Sequence, residues 1–303
     1  EPLKEEPRGM KIALEANGPV ISRIVLGMMR LREWNLSAPE LRGRIERWLE
    51  LGATAFDHAD IYGDGACEAI FGEALAGIPS ARGRMQIKLA SKSDPGCAIK
   101  RYDASKPHII ASVENSLRRL RTDRIDLLLI HRPDPLMDPD EVAEAFSSLR
   151  DSGKALFFGV SNFTPSQFEM LSSSLPMPLV TNQVECSVLE TKPIEDGTFD
   201  LCRRRRIAPM AWSPLARGAL FRGRTKRILR VRAALKAVCR SNGVDSADSL
   251  ALAWLLKHPA RIVPVIGTGN MERIERALEA VNIDLPREDW FRILRASLGR
   301  DVP

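Results

Sequence analysis

The hydrophobic pattern of this chain switches repeatedly between two periods. Short, almost wholly apolar runs alternate with longer stretches in which apolar residues recur every three or four positions. The first kind predicts strands buried on both faces, and the second predicts the amphipathic helices that cover them. Strands are expected over residues 21–26, 53–56, 86–91, 125–130, 155–160, 179–184, 207–212 and 262–266. Helical sequence follows each one, over 37–51, 66–76, 107–120, 138–153, from 164 onward, and over 194–205, 228–241, 247–257, 271–281 and 287–296. In the third of these helices Ile109, Val113, Leu117 and Leu120 make a single stripe. Helix starts are marked by chemistry as well as by period. Ser37-Ala-Pro-Glu40 and Thr164-Pro-Ser-Gln167 are capping boxes, and Asp138-Pro139 is a cap followed by proline at the first helical position. Ahead of the first strand, residues 10–20 alternate around Asn17-Gly18 and read as a β-hairpin.

Eight strand–helix units in 303 residues are what a closed (β/α)8 barrel, the TIM-barrel form of the α/β class, requires. An open doubly wound sheet would place a G-x-G-x-x-G turn after an early strand, and none is present. No linker-like stretch divides the sequence. We expect a single barrel domain over residues 1–303, with residues 1–9 flexible, an N-terminal β-hairpin and extra helices near the C-terminus.

Composition changes this picture little. Hydrophobic residues at 44% and charged residues at 28% are ordinary globular values. Much of the net charge of +6 lies in two clusters, residues 203–206 and 222–230, with few Tyr or Phe beside them. That distribution suits solvated helix ends or a phosphate-bearing small ligand better than nucleic acid. The five cysteines are odd in number and never spaced C-x-x-C, which argues against a disulfide framework or structural zinc and for a reducing cytoplasm. No signal-like apolar segment opens the sequence, and no apolar run is long enough to cross a bilayer. The expectation is a cytoplasmic protein, monomeric or weakly oligomeric, with a small-molecule partner and neither nucleic acid nor membrane.

Chemistry in such barrels sits at the C-terminal ends of the strands. Strand 2 ends in Asp57, with Tyr62 on the following turn; strand 3 ends in Lys92 and strand 4 in His131. Ser161 and Asn162 end strand 5, and Asn182, Gln183 and Glu185 end strand 6. Trp212 and Ser213 end strand 7, and Gly267-Thr-Gly-Asn270 ends strand 8 just before a helix. A carboxylate, a phenol, a cation and an imidazole thus fall on three adjacent strand ends. A tyrosine alone is a poor acid at neutral pH, its reference pKa being about 10. If Asp57 holds Lys92 and Lys92 points at Tyr62, the phenolate is stabilised and Tyr62 becomes a workable general acid. His131 would hydrogen-bond the same substrate oxygen. That chemistry needs no metal.

The stretches GATAFDHADIYG, LLLIHRPDP, FGVSNF and TNQVE, in this order, resemble the motifs of the aldo-keto reductase superfamily. HRPDPLMDPDEVAEAF and the closing LGRDVP look like its bacterial YdhF-type branch. The resemblance implies a catalytic tetrad of Asp57, Tyr62, Lys92 and His131. Lys88, on the same strand face, is the alternative to Lys92; the Ser-Lys pair at the strand end favours Lys92. The implied activity is reduction of an aldehyde or ketone to an alcohol by NADPH, with NADH the less suited cofactor. By the same resemblance Ser161, Asn162 and Gln183 meet the carboxamide and Trp212 stacks on the nicotinamide. Ser213, Leu215, Arg217 and Gly218 lie about the pyrophosphate. Gly267, Thr268 and Gly269 let phosphate approach a helix N-terminus, where Arg273 meets the adenosine 2′-phosphate. The chain departs from the family at Gly267, where many members carry Lys, and at Arg276-Ala277, where Glu-Asn often meets the adenine.

Met28, Met29, Trp34, His58, Arg132 and Asn162 are the candidate walls of the substrate pocket. The apolar members favour an aromatic or medium-chain aldehyde, and Arg132 favours an acidic substrate. Two rivals remain. A metal-dependent hydrolase built on Asp57, His58 and Asp60 would want converging His ligands, which the sequence does not supply, so no metal is expected. A non-catalytic NADP(H)-binding sensor on the same fold would not need all four tetrad groups.

Overall fold

The computed structural model describes residues 10–76, 78, 85–89 and 101–301, the side chains of 85–89 excepted. The hairpin pairs β1 (Lys11–Ala13) with β2 (Val20–Ser22), Ile12 facing Ile21. The N–H of Gly18 closes its turn on the Glu15 carbonyl at 3.0 Å. The expected strand over 21–26 is therefore two strands, since Ile21 belongs to the hairpin and the barrel begins at β3 (Val25–Gly27). Arg23 holds the corner between them. Its guanidinium donates to the carbonyls of Leu256, Arg261 and Ile262, and burial brings its pKa down to about 10.

Helices and strands then alternate: α1 (Ala38–Glu50), β4 (Phe56–Ala59), α2 (Ala66–Leu75), β5 (Met85–Leu89), α3 (Lys106–Leu120), β6 (Ile125–Ile130), α4 (Pro139–Asp151), β7 (Ala155–Ser161), α5 (Pro165–Ser174) and β8 (Leu179–Glu185). The second half continues with α6 (Lys192–Glu195), α7 (Thr198–Arg205), β9 (Met210–Trp212), α8 (Ala219–Arg222), α9 (Lys226–Asn242), α10 (Ala247–Leu256), β10 (Val263–Ile266), α11 (Met271–Glu279) and α12 (Arg287–Leu298). Strands β3 to β10 form a closed parallel barrel, with β10 pairing both β9 and β3. The (β/α)8 barrel with its N-terminal hairpin is the fold observed.

Both capping boxes form: Ser37 Oγ accepts from the Glu40 N–H while Glu40 accepts from the Ser37 N–H, and Thr164 and Gln167 repeat the exchange. The helix expected over 194–205 is broken into α6 and α7 at Gly197, whose φ of +85° no helix interior adopts. Among the extra helices, α12 is pinned by Trp290, which stacks on Trp254 of α10 at 4.9 Å. Each indole N–H of that pair donates to the other's backbone carbonyl.

The barrel interior is filled by inward residues such as Val25, Ala55, Leu127, Leu129 and Val265. Leu14 and Ile21 of the hairpin join this cluster and close the end at which the strands begin. Phe56 joins the outer layer, against Phe71 of α2 at 5.1 Å. Strand side chains alternate faces. With Ala55 inward and Phe56 outward, Asp57 faces the barrel axis and His58 faces α2.

Candidate active site

Strand β4 begins two to three residues later than its apolar run suggests, so Asp57 is its second residue rather than a tip. Asp57 is buried, and its carbonyl accepts from the Met28 N–H at 2.9 Å. Tyr62 opens a tight turn over Tyr62–Gly65, in which Gly63, Asp64 and Gly65 have φ of +58°, +54° and +87°. Three successive left-handed residues reverse the chain within one turn, and two of them are glycine, the residue without a Cβ penalty there. The phenol ring meets the imidazole of His131 edge-on, their centroids 6.3 Å apart at 89°. Three of the four expected tetrad residues therefore come from neighbouring elements of the barrel. Lys92 lies outside the described residues. The backbone of Lys88 is in register with Ala59 and Leu129, two residues short of the level of His131.

Three expected pocket residues are held by packing, two of them fully buried. His58 is fully buried, its ring 4.6 Å from that of Phe71, because strand alternation turns it away from the axis. Met28 is fully buried in the core beneath the mouth. Trp34 packs edge-on against Trp48 of α1 at 6.2 Å and lies over Gly269, where an added Cβ would come within 2.6 Å of the indole. It is a buttress for the strand-8 loop. Met29 remains 52% exposed and free to line the mouth.

Asn162 ties three strand ends together. Its Nδ2 donates to the His131 carbonyl at 3.1 Å and to Ser161 Oγ at 2.9 Å, while its Oδ1 accepts from the Trp212 indole at 2.9 Å. Ser161 Oγ in turn donates to the Gln183 carbonyl at 2.8 Å. Both Asn162 amide hydrogens are thus used, but one lone pair of Oδ1 remains for a ligand donor. The guanidinium carbons of Arg132 and Arg217 lie 5.7 and 5.3 Å from the Trp212 ring centroid, within cation–π range. Arg217 also approaches Glu185 at 3.9 Å. Burial raises the pKa of that carboxyl, and the charge of Arg217 opposes the rise.

The loop after β9 is unusual in backbone. Ser213, Ala216 and Arg217 all have positive φ, between +50° and +54°, followed by Gly218 at +81°. Non-glycine residues pay for that region, so the loop holds a conformation its sequence does not favour. Leu215 anchors it by packing against both outer core clusters. Two of its amides close on the loop itself, Ala216 N–H on the Ser213 carbonyl at 2.8 Å and Gly218 N–H on the Leu215 carbonyl at 2.9 Å.

At β10 the chain runs through Gly267 to Asn270, which caps α11 by accepting from the Arg273 N–H at 3.0 Å. Gly267 is exposed, and a Cβ there would meet nothing closer than the Gly27 carbonyl at 4.0 Å. Arg44 of α1 donates to the Gly269 carbonyl, a tether across 225 residues that no local signal in the sequence announces. Arg276 is committed to Glu272 and Asp248, and Ala277 is buried in the core. The two positions at which the sequence departs from the expected adenine contacts serve the fold.

These features fit a nicotinamide dinucleotide: an aromatic face at Trp212, amide and hydroxyl groups beside it, a curled loop, and a helix N-terminus with an exposed Arg273. Among the described residues, no group of three or more His, Cys, Asp and Glu side chains is placed to hold a metal ion, and no helix is long and apolar enough to cross a membrane. A family model, described as the Aldo/keto reductase family, matches residues 23–297. The chain is 47% identical over 297 residues to the oxidoreductase YdhF of Escherichia coli (strain K12), covering 97% of this chain and 99% of that one. It is 43% identical over 289 residues to a 6-dehydroglucose reductase of Agrobacterium fabrum (strain C58 / ATCC 33970), covering 93% and 96%. Among solved structures it is similar to the aldo-keto reductase AKR11C1 from Bacillus halodurans in its holo form, with a TM-score of 0.79, 26% identity and coverage of 94% and 95%.

Proposed function

The chain belongs to the aldo/keto reductase family, and on that premise we propose that it is an NADPH-dependent carbonyl reductase with Tyr62 as its general acid. The observation that most supports this reading is the edge-on meeting of Tyr62 and His131, with Asp57 buried on the strand that leads to Tyr62. In this reading Asp57 holds the ammonium of Lys92 beside the phenol, and the cation lowers the cost of releasing the phenolic proton. His131 donates to the carbonyl oxygen of the substrate and fixes its direction. NADPH, when bound, supplies a hydride to the carbonyl carbon. Tyr62 then gives its proton to the oxygen, and an alcohol leaves.

Trp212 provides the stacking face for the nicotinamide, with Ser161, Asn162 and Gln183 for the carboxamide. Ser213, Leu215, Arg217 and Gly218 border the pyrophosphate. Gly267, Thr268 and Gly269 leave room at the N-terminus of α11, where Arg273 is the cation for the 2′-phosphate. With Met28 fully buried and the Arg132 guanidinium over the Trp212 ring, this reading gives a pocket more polar than the sequence suggests. A hydroxylated aldehyde suits such a wall better than a medium-chain one, and the name of the Agrobacterium relative supports a sugar aldehyde. The four cysteines described are free and buried, in keeping with a cytoplasmic protein.

The test is NADPH oxidation with 4-nitrobenzaldehyde, glyceraldehyde and 6-dehydroglucose, comparing wild type with Tyr62→Phe. Loss of at least a hundredfold in kcat is expected for the variant. Equal rates would remove Tyr62 from the acid's role. Turnover of 4-nitrobenzaldehyde in preference to both hydroxylated aldehydes would remove the substrate class.

A further inference from the structure

Behind the turn that carries Tyr62 lies an ion pair, its carboxylate buried and its guanidinium half-buried, that belongs to neither the tetrad nor the cofactor groups. Glu68, in the first turn of α2, is 0% exposed, and its Oε2 accepts from Arg119 Nη1 of α3 at 3.1 Å. Burial raises the carboxyl's pKa; the hydroxyl of Ser116 and the charge of Arg119 pull it back toward ionisation. The Arg119 guanidinium lies flush against the backbone of Gly65, where an added Cβ would sit 2.6 Å from both Cζ and Nε. Gly65 ends the tight turn that Tyr62 opens.

The root of Arg119 is as tightly seated as its tip. At Gly72 a Cβ would come within 2.2 Å of the Arg119 carbonyl and 2.6 Å of the carbonyl carbon of Leu120. Helices α2 and α3 thus touch backbone to backbone one helical turn beyond Glu68. Backbone contact fixes where Arg119 starts, Glu68 fixes where its guanidinium ends, and the guanidinium fixes the height of Gly65. Desolvation of the buried carboxylate offsets much of the attraction in such a pair, so its value here lies in the geometry it fixes rather than in net stability. We infer that Glu68 and Arg119 are positioning residues that set the Tyr62 hydroxyl against the substrate oxygen. A proton donor displaced by an ångström loses much of its rate, which gives such a prop a kinetic consequence.

This inference rests on Tyr62 being the acid, and the experiment separates the two. Arg119→Lys keeps the charge but loses the planar contact with Gly65. Glu68→Gln/Arg119→Met removes both charges together, so no charge is left buried alone and the protein is expected to fold. With NADPH and 4-nitrobenzaldehyde, both variants are expected to lose at least tenfold in kcat, with KM and NADPH affinity within threefold of wild type. The chain has two tyrosines, so in a Tyr102→Phe background the ultraviolet difference titration near 295 nm reads Tyr62 alone. Its midpoint is expected to move by more than half a pH unit in both variants. Folded variants that keep kcat within twofold and leave the midpoint unmoved would overturn the inference while Tyr62 keeps its role. Full activity in Tyr62→Phe would overturn the acid assignment itself, and the inference with it.

Discussion

The indole N–H of Trp212 donates to Oδ1 of Asn162 at 2.9 Å, joining the ends of β9 and β7 across the barrel mouth. Asn162 holds its place with φ of +64°, a conformation that Asn adopts more readily than most residues. Its side chain also locks the carbonyl of His131, so one residue holds both the Trp212 indole and the end of the strand that carries His131.

Asn162→Ala should therefore fail in two ways, while Asn162→Gly fails in one. Alanine loses the three side-chain hydrogen bonds and is also disfavoured at positive φ. Together these effects amount to about 2–4 kcal/mol. Glycine loses the same bonds without the backbone penalty and should be more stable than alanine by about 1 kcal/mol. Urea denaturation of the two variants decides this. Equal stability would mean that the backbone of residue 162 is not strained.

Gly269→Ala tests the buttress beneath the strand-8 loop. The new methyl would lie within 2.6 Å of the Trp34 ring, so either the indole or the loop must move. Arg44 and Trp48 hold the two sides in place, Trp48 through its indole N–H to Met271 Sδ at 3.1 Å. NADPH affinity, followed by fluorescence titration, should fall about tenfold, or roughly 1.4 kcal/mol. Adding Trp34→Ala should restore most of it. Failure of that second substitution to rescue binding would show that the damage is not made through the indole.

Gly267→Lys asks whether cofactor preference follows from one missing cation. The position is exposed and a Cβ there meets open space, so a lysine can enter without disturbing β10. A second cation beside Arg273 should tighten NADPH about three- to tenfold and leave NADH unchanged. Because a charge pair is screened by salt, the gain should shrink between 50 and 300 mM NaCl. An equal gain for both cofactors would place the lysine away from the 2′-phosphate.

The barrel could be read from sequence because its signals are local. The nearly all-apolar run Ile125–Ile130 became a strand with the same bounds, and Ser37 and Thr164 opened their helices by capping boxes that a four-residue window contains. Where the sequence misled, two signals competed or a partner was remote. The single strand expected over 21–26 hides a corner at Arg23, whose carbonyl acceptors lie more than 230 residues away. His58 looked like pocket chemistry because it adjoins Asp57, yet period-two alternation sends adjacent side chains to opposite faces. Glu68 and Arg119 gave no sign at all, since an ion pair across 51 residues has no period. Groups at strand ends, such as Asn162 and Trp212, were readable from the period of the chain; groups that meet across distant elements, such as Glu68 and Arg119, were not.

Acid should reveal one further group of that second kind. His258, after α10, sits 5.2 Å from Phe199 and 6.2 Å from Trp290, and its Nδ1 accepts from the Ala260 N–H at 3.1 Å. Burial, helped by the charge of Arg203 and opposed by Asp200, lowers its pKa from 6.5 to about 4. A neutral ring is needed to accept that N–H, so protonation breaks the bond as well as charging a half-buried site. Above pH 6.5 the ring is neutral whether the chain is folded or not, and its contribution to stability is complete. As pH falls from 6.5 towards 4 the unfolded chain binds the proton first, and stability is lost across that window, by about 1–2 kcal/mol once solvent screening of the half-exposed ring is allowed for. Urea denaturation at pH 7, 6, 5 and 4.5 should show this decline in wild type and a shallower one in His258→Gln. Parallel pH profiles for the two proteins would assign the acid sensitivity to other groups.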